Sequence, residues 1–336
     1  MENVDLERSK PGAARHRGEA PADAWFAEGE RIGYDPHARA LVGSGPAPLR
    51  VWVRRDGDPI DAVSFLPGFP DGSFGWSKLL PNLPDEAAMP KLFVEYVGMG
   101  DSDKPRRYAY STAERTDLIE AHWRYWGVRS TTLVAFDFSA ITVLEHLCRR
   151  LEGSAEGPSI RGVFIFNGGL YADGHSHPWF TTPLLSRHGG GMLPWFAQRS
   201  FFMFRKYIKM LGWSPEYRLT DEELYALRTA MARRNGLFYL AAAAGFVADQ
   251  KRQSERLDFS RIFDAYHKRF PFLVGGSRGD VFERRQVDLA EQRLAGRGLR
   301  VARLLGGHFT TSERPAELAR LIAGFEKDLA GHKSSS

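Results

Sequence analysis

The stretch from residue 132 to residue 141, Thr-Leu-Val-Ala-Phe-Asp-Phe-Ser-Ala-Ile, constrains the fold more than any other part of the chain. Its first half is β-branched or apolar, as in a buried parallel strand, and apolar residues recur at helical spacing from Ser139 onwards. The pattern predicts a strand that runs directly into a helix, with Asp137 at the junction. Such a turn is strained and tolerates only small neighbours two positions away, and here these are Ala135 and Ser139.

Two roles fit Asp137. Aspartate is favoured at the start of a helix, because its carboxylate accepts hydrogen bonds from the free backbone N–H groups of the first turn. A carboxylate on a strained turn can instead act as a nucleophile, because it is already ionised near neutral pH. The ten residues alone leave both roles open.

Strand-like and helix-like patterns alternate from residue 62 to residue 170 and again from about residue 258. This alternation predicts an α/β fold with a mostly parallel twisted sheet flanked by helices. Between the two parts, residues 171–257 are rich in aromatic residues and show no evident strand. Their periodicity predicts helices over residues 201–211, 221–233 and 235–248. We therefore expect a core from residues 25–170 and 258–332, a helical cap at 171–257 and a flexible tail at 1–24.

Two further titratable residues follow predicted strands. Asp280 comes after the apolar run that begins at residue 271, and His308 after the run that begins at residue 301. In a parallel sheet the loops after successive strands open on the same edge, so Asp137, Asp280 and His308 can converge. Taken separately, Asp280 fits a turn residue and His308 fits a surface loop residue. Their occurrence together, in the order carboxylate, carboxylate, histidine, favours a catalytic triad.

This arrangement resembles the α/β-hydrolase fold family, in the branch with an aspartate nucleophile that includes epoxide hydrolases and haloalkane dehalogenases. The pattern small-x-Asp-x-small around Asp137 resembles the nucleophile elbow of the family, with Ala135 and Ser139 where glycines are usual. Residues 98–105, Gly-Met-Gly-Asp-Ser-Asp-Lys-Pro, and residues 306–310, Gly-Gly-His-Phe-Thr, also resemble segments of the family.

The resemblance implies a role for each site residue. Asp137 is expected to be the nucleophile, His308 the base that activates water, and Asp280 the carboxylate that orients the histidine. The backbone N–H groups of Phe69 and Phe138 are expected to form the oxyanion hole.

The segment 67–70, Pro-Gly-Phe-Pro, departs from the family pattern at its first residue. The family usually begins this loop with His-Gly, whereas the chain has Pro67. Proline lacks both the imidazole that braces the loop and a backbone N–H. We expect Pro67 to change the shape of the loop more than its hydrogen-bond donors, because Phe69 keeps its backbone N–H.

The side chains beside the nucleophile favour one substrate class. Haloalkane dehalogenases typically hold the departing halide with side-chain N–H groups, but positions 138 and 69 are both Phe. Epoxide hydrolases instead need an acid for the epoxide oxygen, usually a cap tyrosine, and Tyr239 followed by Tyr207 are the first candidates. Each of the two also fits ordinary packing. The sequence therefore favours an epoxide hydrolase that forms a covalent alkyl-enzyme ester with a bulky apolar or aromatic epoxide.

Three alternatives stay open. Trp179 or Trp195 in the expected cap could hold a halide, as in a haloalkane dehalogenase-like enzyme. The scaffold could serve a cofactor-free lyase or cyclase in which Asp137 acts as a base, or a non-catalytic ligand binder. The presence of all three triad residue types argues against the binder.

Composition bears on partners and location. The 46 basic and 41 acidic residues are interspersed and no nucleic-acid motif is present, so we expect no nucleic-acid partner. The sequence has no dinucleotide-binding or phosphate-loop motif and no metal-ligand cluster, so no cofactor or metal is expected. Cys148 is the only cysteine, which excludes an intrachain disulfide and favours a reducing compartment. With no secretory signal or membrane-length apolar stretch, we expect a soluble cytoplasmic protein, and a homodimer is left open.

Overall fold

A computed structural model of the chain describes residues 21–37, 48–85, 88–155, 157–176, 192–243 and 245–333. Eight strands in this part of the chain form one sheet. They are β1 (Glu30–Tyr34), β2 (Leu49–Asp56), β3 (Asp61–Leu66), β4 (Lys91–Val94), β5 (Ser130–Phe136), β6 (Ser159–Phe166), β7 (Phe272–Ser277) and β8 (Arg300–Leu304).

The sheet is mostly parallel, as predicted. Its order is β1-β2-β4-β3-β5-β6-β7-β8, with the pairs β1/β2 and β2/β4 antiparallel and every other pair parallel. The chain leaves β3 towards β4 and then crosses to β5 on the other side of β3. The loops after β3 and β5 therefore diverge at their carboxyl ends and leave a crevice, which is where open α/β sheets bind ligands.

Twelve helices are described around and beside this sheet. They are α1 (Pro21–Ala27), α2 (Thr112–Trp126), α3 (Ser139–Leu151), α4 (Met192–Arg199), α5 (Phe201–Lys209), α6 (Asp221–Ala232), α7 (Leu240–Ala243), α8 (Phe246–Arg252), α9 (Phe259–Tyr266), α10 (Arg284–Arg293), α11 (Thr310–Glu313) and α12 (Pro315–Lys333). Short 3₁₀ segments span Ser73–Trp76, Leu80–Asn82 and Arg233–Tyr239. No helix within these described ranges combines the length and the apolar character needed to cross a bilayer.

The central strand β5 is covered on both faces, and each of its seven residues is buried. One of its polar residues is hydrogen-bonded to a neighbouring strand inside the core. The Thr131 hydroxyl lies 2.8 Å from the Ser64 hydroxyl of β3, which also accepts the indole N–H of Trp123 at 2.9 Å. Burial on both faces explains why the sequence of this strand is a continuous run of apolar or β-branched residues.

The N-terminal helix replaces part of the predicted tail. Residues 1–20 lie outside the described chain, but residues 21–24 belong to α1. Trp25 and Phe26 of this helix are buried, Trp25 with its ring 5.3 Å from the ring of Phe93 and Phe26 with its ring 5.2 Å from that of Trp52. These ring contacts pack the apolar face of α1 against the sheet.

The helices between β6 and β7 follow the predicted periodicity in two of three places. Helices α5 and α6 lie within a few residues of the predicted bounds. The single helix predicted over residues 235–248 is wrong, since the chain there runs as a 3₁₀ segment followed by α7 and α8. Arg234 and Asn235, with φ values of 50° and 62°, separate this region from α6, because left-handed backbone cannot continue an α-helix.

Helices α2 and α3 are joined by a buried ionic cluster around Arg149. Its guanidinium donates to Asp117 at 2.7 Å, to Glu145 at 2.8 Å and to Glu120 at 3.3 Å. The Arg149 side chain is only 10% exposed, so its charge compensates three carboxylates that have little access to water. A buried cluster of this kind depends on every partner being present.

We expect Arg149→Met to lower the free energy of unfolding by about 3–5 kcal/mol, because it removes a buried counter-charge that three carboxylates share. Urea unfolding measures the change. Arg124→Met, at an exposed position of α2, is the matched control and is expected to stay within about 0.5 kcal/mol of the wild type. Equal stability of the two variants would show that the cluster contributes nothing.

Candidate active site

Asp137 lies directly after β5 in a strained backbone conformation. Its φ is 54°, in the left-handed region that aspartate rarely adopts. The turn is fixed by hydrogen bonds from the Asp137 N–H to the Phe166 carbonyl at 3.2 Å and from the Ala140 N–H to the Asp137 carbonyl at 3.0 Å. Gly168 packs against it, since a Cβ there would lie 2.4 Å from the Ala140 Cβ. The result is a sharp elbow that turns the Asp137 side chain out of the sheet.

The carboxylate of Asp137 does not cap the following helix. The N-cap residue of α3 is Phe138, which has no side-chain capping bond. Instead, Asp137 Oδ2 accepts the backbone N–H of Phe69 at 2.7 Å, and Oδ1 lies 3.4 Å from His308 Nε2. Phe69 sits in the loop after β3, so this contact joins the two sides of the crevice.

His308 and Asp280 complete a line of three side chains. His308 Nδ1 lies 3.0 Å from Asp280 Oδ2, while Asp280 Oδ1 accepts the backbone N–H groups of Phe282 at 2.8 Å and Glu283 at 3.2 Å. The three predicted residues therefore meet at the carboxyl edge of the sheet, from the loops after β5, β7 and β8. All three are at most 5% exposed.

The protonation of His308 is set by competing effects. Burial alone lowers the pKa of this imidazole, but the neighbouring carboxylates of Asp280 and Asp137 outweigh burial and raise the pKa well above 6.5. The imidazolium is therefore the resting form near neutral pH, flanked by one carboxylate at each ring nitrogen.

Asn167 is a site residue that the sequence analysis missed. Its side-chain amide donates to the His308 carbonyl at 2.8 Å and to the Thr310 hydroxyl at 3.2 Å, and its Oδ1 accepts the Ser277 N–H at 2.7 Å. These bonds tie the loop after β6 to the end of β7 and to the histidine loop. The sequence shows only Asn-Gly-Gly directly after a strand-like apolar run, a pattern that is typical of a turn and does not by itself indicate a site residue.

The loop that carries Phe69 is braced without a histidine. The Ser139 hydroxyl donates to the carbonyl of Pro67 and lies 2.9 Å from the Tyr96 hydroxyl. Farther along the loop, Glu95 Oε2 accepts the backbone N–H of Ser73 at 2.9 Å and its hydroxyl at 2.7 Å. Ser139 and Glu95 therefore hold the two ends of the loop that presents the Phe69 amide.

Apolar rings form one wall beside Asp137. The rings of Phe69, Phe138 and Phe246 lie 5.4–5.9 Å apart, and Phe246 comes from α8 between β6 and β7. The guanidinium of Arg115 lies 4.7 Å from the Phe138 ring centroid. Neither Phe69 nor Phe138 offers a side-chain N–H group to a ligand.

The two tyrosines singled out from the sequence differ in their surroundings. Tyr207 is buried, its hydroxyl has no hydrogen-bond partner within the described chain, and burial raises its pKa well above the usual range. Tyr239 is half-buried with its ring 6.3 Å from that of Tyr110. Among the described residues neither hydroxyl bonds to Asp137 or His308. Trp179 and the side chain of Trp195 lie outside the described part of the structure.

A buried pair connects the loop of Asp280 to the helices between β6 and β7. His175 Nδ1 lies 2.8 Å from Glu283 Oε1, and its Nε2 lies 2.5 Å from Gln250 Oε1 of α8. The side chains of His175 and Glu283 are each 2% exposed. The same Glu283 donates its backbone N–H to Asp280, so one residue contacts both the site and the helices that cover it.

Two buried carboxyl groups near the Phe69 loop have raised pKa values. Burial raises the pKa of Glu95 to about 7, against its hydrogen bonds to Ser73 and the charge of Lys104, which lower it. Burial likewise raises the pKa of Asp71 to about 7. Sequence patterns did not identify either residue, because burial is a property of the tertiary structure. In the described ranges no group of His, Cys, Asp or Glu side chains is arranged to hold a metal ion.

The raised pKa of Glu95 predicts a pH-dependent effect of Glu95→Gln. Between pH 4.5 and about 7 the native state keeps a proton that the unfolded chain has lost, so wild-type stability falls across this window. Glutamine does not titrate, and we expect the variant to gain about 2–3 kcal/mol relative to the wild type between pH 5 and pH 8. Thermal unfolding at pH 5 and pH 8 measures this stability difference. Glu28→Gln, at an exposed site, is the control. A pH-independent difference would exclude Glu95 as the titrating group.

Comparisons with known proteins bear on the fold. No protein-family model matches the chain. It is 26% identical over 199 residues to mesoderm-specific transcript protein of Mus musculus, and the matched part covers 58% of this chain and 58% of that protein. Among solved structures, haloalkane dehalogenase DatA from Agrobacterium tumefaciens C58 superposes with a TM-score of 0.68 at 18% identity, over 90% of this chain and 97% of DatA. Epoxide hydrolase CorEH superposes with a TM-score of 0.63 at 15% identity, and the match covers 90% of this chain and 100% of CorEH. With its strand order, crevice and elbow, the chain has the α/β-hydrolase fold.

Proposed function

We propose that the protein is a hydrolase that forms a covalent alkyl-enzyme ester on Asp137, and that its substrate is a bulky apolar or aromatic epoxide. One observation carries the proposal. Asp137 stands on a strained elbow with Oδ2 bound to the Phe69 amide at 2.7 Å and Oδ1 facing His308 at 3.4 Å. Strain of this kind, which costs about 1–3 kcal/mol, is typically retained where it positions a reacting group.

The first step is attack on carbon. The Phe69 amide holds Oδ2, so Oδ1 is the oxygen free to displace an epoxide oxygen from saturated carbon. The bond between Asp137 and the substrate carbon forms as the epoxide carbon–oxygen bond breaks, and the released oxygen takes up a proton. Tyr239 and Tyr207 are the cap acids proposed from the sequence.

The second step depends on the charge that the first step removes. Esterification neutralises Asp137, one of the two carboxylates that raise the pKa of His308. The imidazolium then loses its proton more readily and becomes a base at the pH at which it was previously an acid. Asp280 keeps the ring oriented throughout by its contact with Nδ1.

Hydrolysis regenerates the carboxylate. His308 takes a proton from water, which attacks the carbonyl carbon of the ester, and negative charge develops on Oδ2. The Phe69 amide already occupies the position that stabilises this charge, and the amide of Phe138 at the start of α3 is the second proposed donor. Collapse of the intermediate releases the diol and restores Asp137.

The apolar wall supports an epoxide in preference to an alkyl halide. Phe69, Phe138 and Phe246 offer a surface suited to hydrocarbon, and the two rings that flank the nucleophile have no N–H to bind a halide. The indole N–H of Trp213 is engaged by the Ile208 carbonyl at 3.1 Å. The similarity to DatA keeps dehalogenation as the second candidate. If no ester forms on Asp137, the remaining candidate functions are a lyase or cyclase and a ligand binder without turnover.

We expect His308→Gln to form the ester with Asp137 but not to hydrolyse it, because the variant keeps the nucleophile and loses the base. Intact-protein and peptide mass spectrometry after incubation with aryl and alkyl epoxides, and in parallel with haloalkanes, detects the adduct. The set of compounds that labels the Asp137 peptide chooses between epoxide opening and dehalogenation.

Two variants control this experiment. Asp137→Asn in the His308→Gln background removes the nucleophile and is expected to abolish labelling. His267→Gln, at a histidine that stacks on Phe263 away from the triad, is expected to turn over like the wild type and to accumulate no adduct. Labelling at another residue, or unchanged turnover by His308→Gln, would exclude the mechanism.

A further inference from the structure

Asp71 is a buried carboxyl group that the mechanism so far leaves unused. It lies in the loop after β3, two residues beyond Phe69, and is 4% exposed. Neither of its oxygens accepts a hydrogen bond from another described residue. Burying a carboxylate in this way is costly, so an unpartnered acid at such a position requires either a proton or a ligand.

The surroundings of Asp71 connect it to the reacting groups. Its Oδ2 packs against Gly75, where a Cβ would lie only 2.3 Å away. Asp137 and His308 are the charged groups of the triad that act on it, and Glu95 is the other buried acid in its electrostatic range. Asp71 therefore lies in the loop that presents the Phe69 amide to Asp137, within electrostatic range of both Asp137 and His308.

Gly75 also lines a mostly apolar cavity of about 210 Å³. Phe74, Trp213 and Leu219 form part of its wall. Trp213 stacks on Phe309 at 4.6 Å, and its neighbour Gly212 accepts the backbone N–H of His308 at 2.7 Å. The cavity thus lies beside both the histidine loop and Asp71, and it suits an apolar substrate group.

We propose that Asp71 is the acid that protonates the epoxide oxygen when Asp137 opens the ring of a substrate held beside this cavity. The inference rests on the proposed function, because it assigns a group to the ring-opening step. The carbon–oxygen bond of the epoxide breaks, its electron pair stays on oxygen, and that oxygen takes the proton from Asp71. Asp71 is left as a carboxylate while Asp137 becomes the neutral ester.

The protons balance over the whole cycle. Once Asp137 is esterified, His308 gives up its proton, and the Asp71 carboxylate takes one up by way of solvent. Neutral His308 then removes a proton from the attacking water, and the second water proton passes to the oxygen released from the ester. Asp71 is again protonated, His308 is again an imidazolium, and one epoxide and one water have become one diol.

Acid strength favours Asp71 over a tyrosine. Burial raises the pKa of Asp71 to about 7, with its own backbone amide and His308 lowering it and Asp137 raising it. Burial raises the pKa of the Tyr207 hydroxyl well above its usual range, so Tyr207 is a much weaker acid near neutral pH. General acids work best when their pKa lies near the working pH, which Asp71 satisfies.

The test measures ester formation alone. In His308→Gln the ester accumulates, so quenched-flow mass spectrometry with a saturating aryl epoxide gives the rate constant of ring opening. We expect Asp71→Asn in this background to lower that rate about 100-fold or more, as for loss of a general acid. Glu28→Gln, at an exposed site outside the Phe69 loop, is the control and is expected to change the rate of ester formation less than threefold.

A pH profile separates a proton donor from a structural group. With Asp71 present, the rate of ester formation is expected to fall as pH rises through the pKa of Asp71, which His308→Gln raises by removing a positive charge. In Asp71→Asn the fall is expected to disappear. If Asp71→Asn is unstable, the assignment is made by elimination: the fall is expected to persist in Tyr239→Phe, Tyr207→Phe and Glu95→Gln, which remove the other candidate proton donors.

The possible failures are distinguishable. If His308→Gln forms no ester at all, the proposed function fails. If the ester forms and its rate neither falls with pH nor responds to Asp71→Asn, the nucleophile stands and the role of Asp71 is overturned. A pH-dependent fall that is lost in Tyr239→Phe or Tyr207→Phe instead would also overturn it, and would assign the acid to that tyrosine.

Discussion

The left-handed backbone at Asp137 is the constraint on which the rest of the site depends. A φ of 54° is unfavourable for aspartate, and it persists because the residues on both sides are fixed. On one side, β5 is hydrogen-bonded to β3 and β6 and buried throughout. On the other, α3 starts at once and buries eleven residues, from Ser139 to Arg149. The packing of a strand and a helix therefore holds the carboxylate towards Phe69 and His308, where neither could hold it alone.

Sequence reasoning located the residues whose positions are set by topology. Asp137, Asp280 and His308 could be placed together because parallel strands send their following loops to one edge, and the structure brings all three side chains into contact. Asn167 and Asp71 escaped prediction for a different reason. Their importance lies in their surroundings, a set of carbonyls and hydroxyls for Asn167 and a lack of partners for Asp71, and neither environment is local in sequence.

The fold shows the same division between local pattern and tertiary context. Apolar periodicity predicted α5 and α6, but it did not reveal the positive φ values at Arg234 and Asn235 that follow α6. The missing loop histidine at Pro67 is a related case. A single position suggested an unbraced loop, whereas the brace comes from Ser139, a residue that the elbow pattern had singled out only for its small size. One side chain thus serves both the turn and the loop.

The contact between Glu283 and His175 links α8 to Asp280 through a short chain of hydrogen bonds. Glu283 holds Asp280 through its backbone and His175 through its side chain, and His175 in turn holds Gln250 of α8, close to Phe246. The position of α8, whose Phe246 ring borders Phe69 and Phe138, is therefore coupled through hydrogen bonds to the carboxylate that contacts His308.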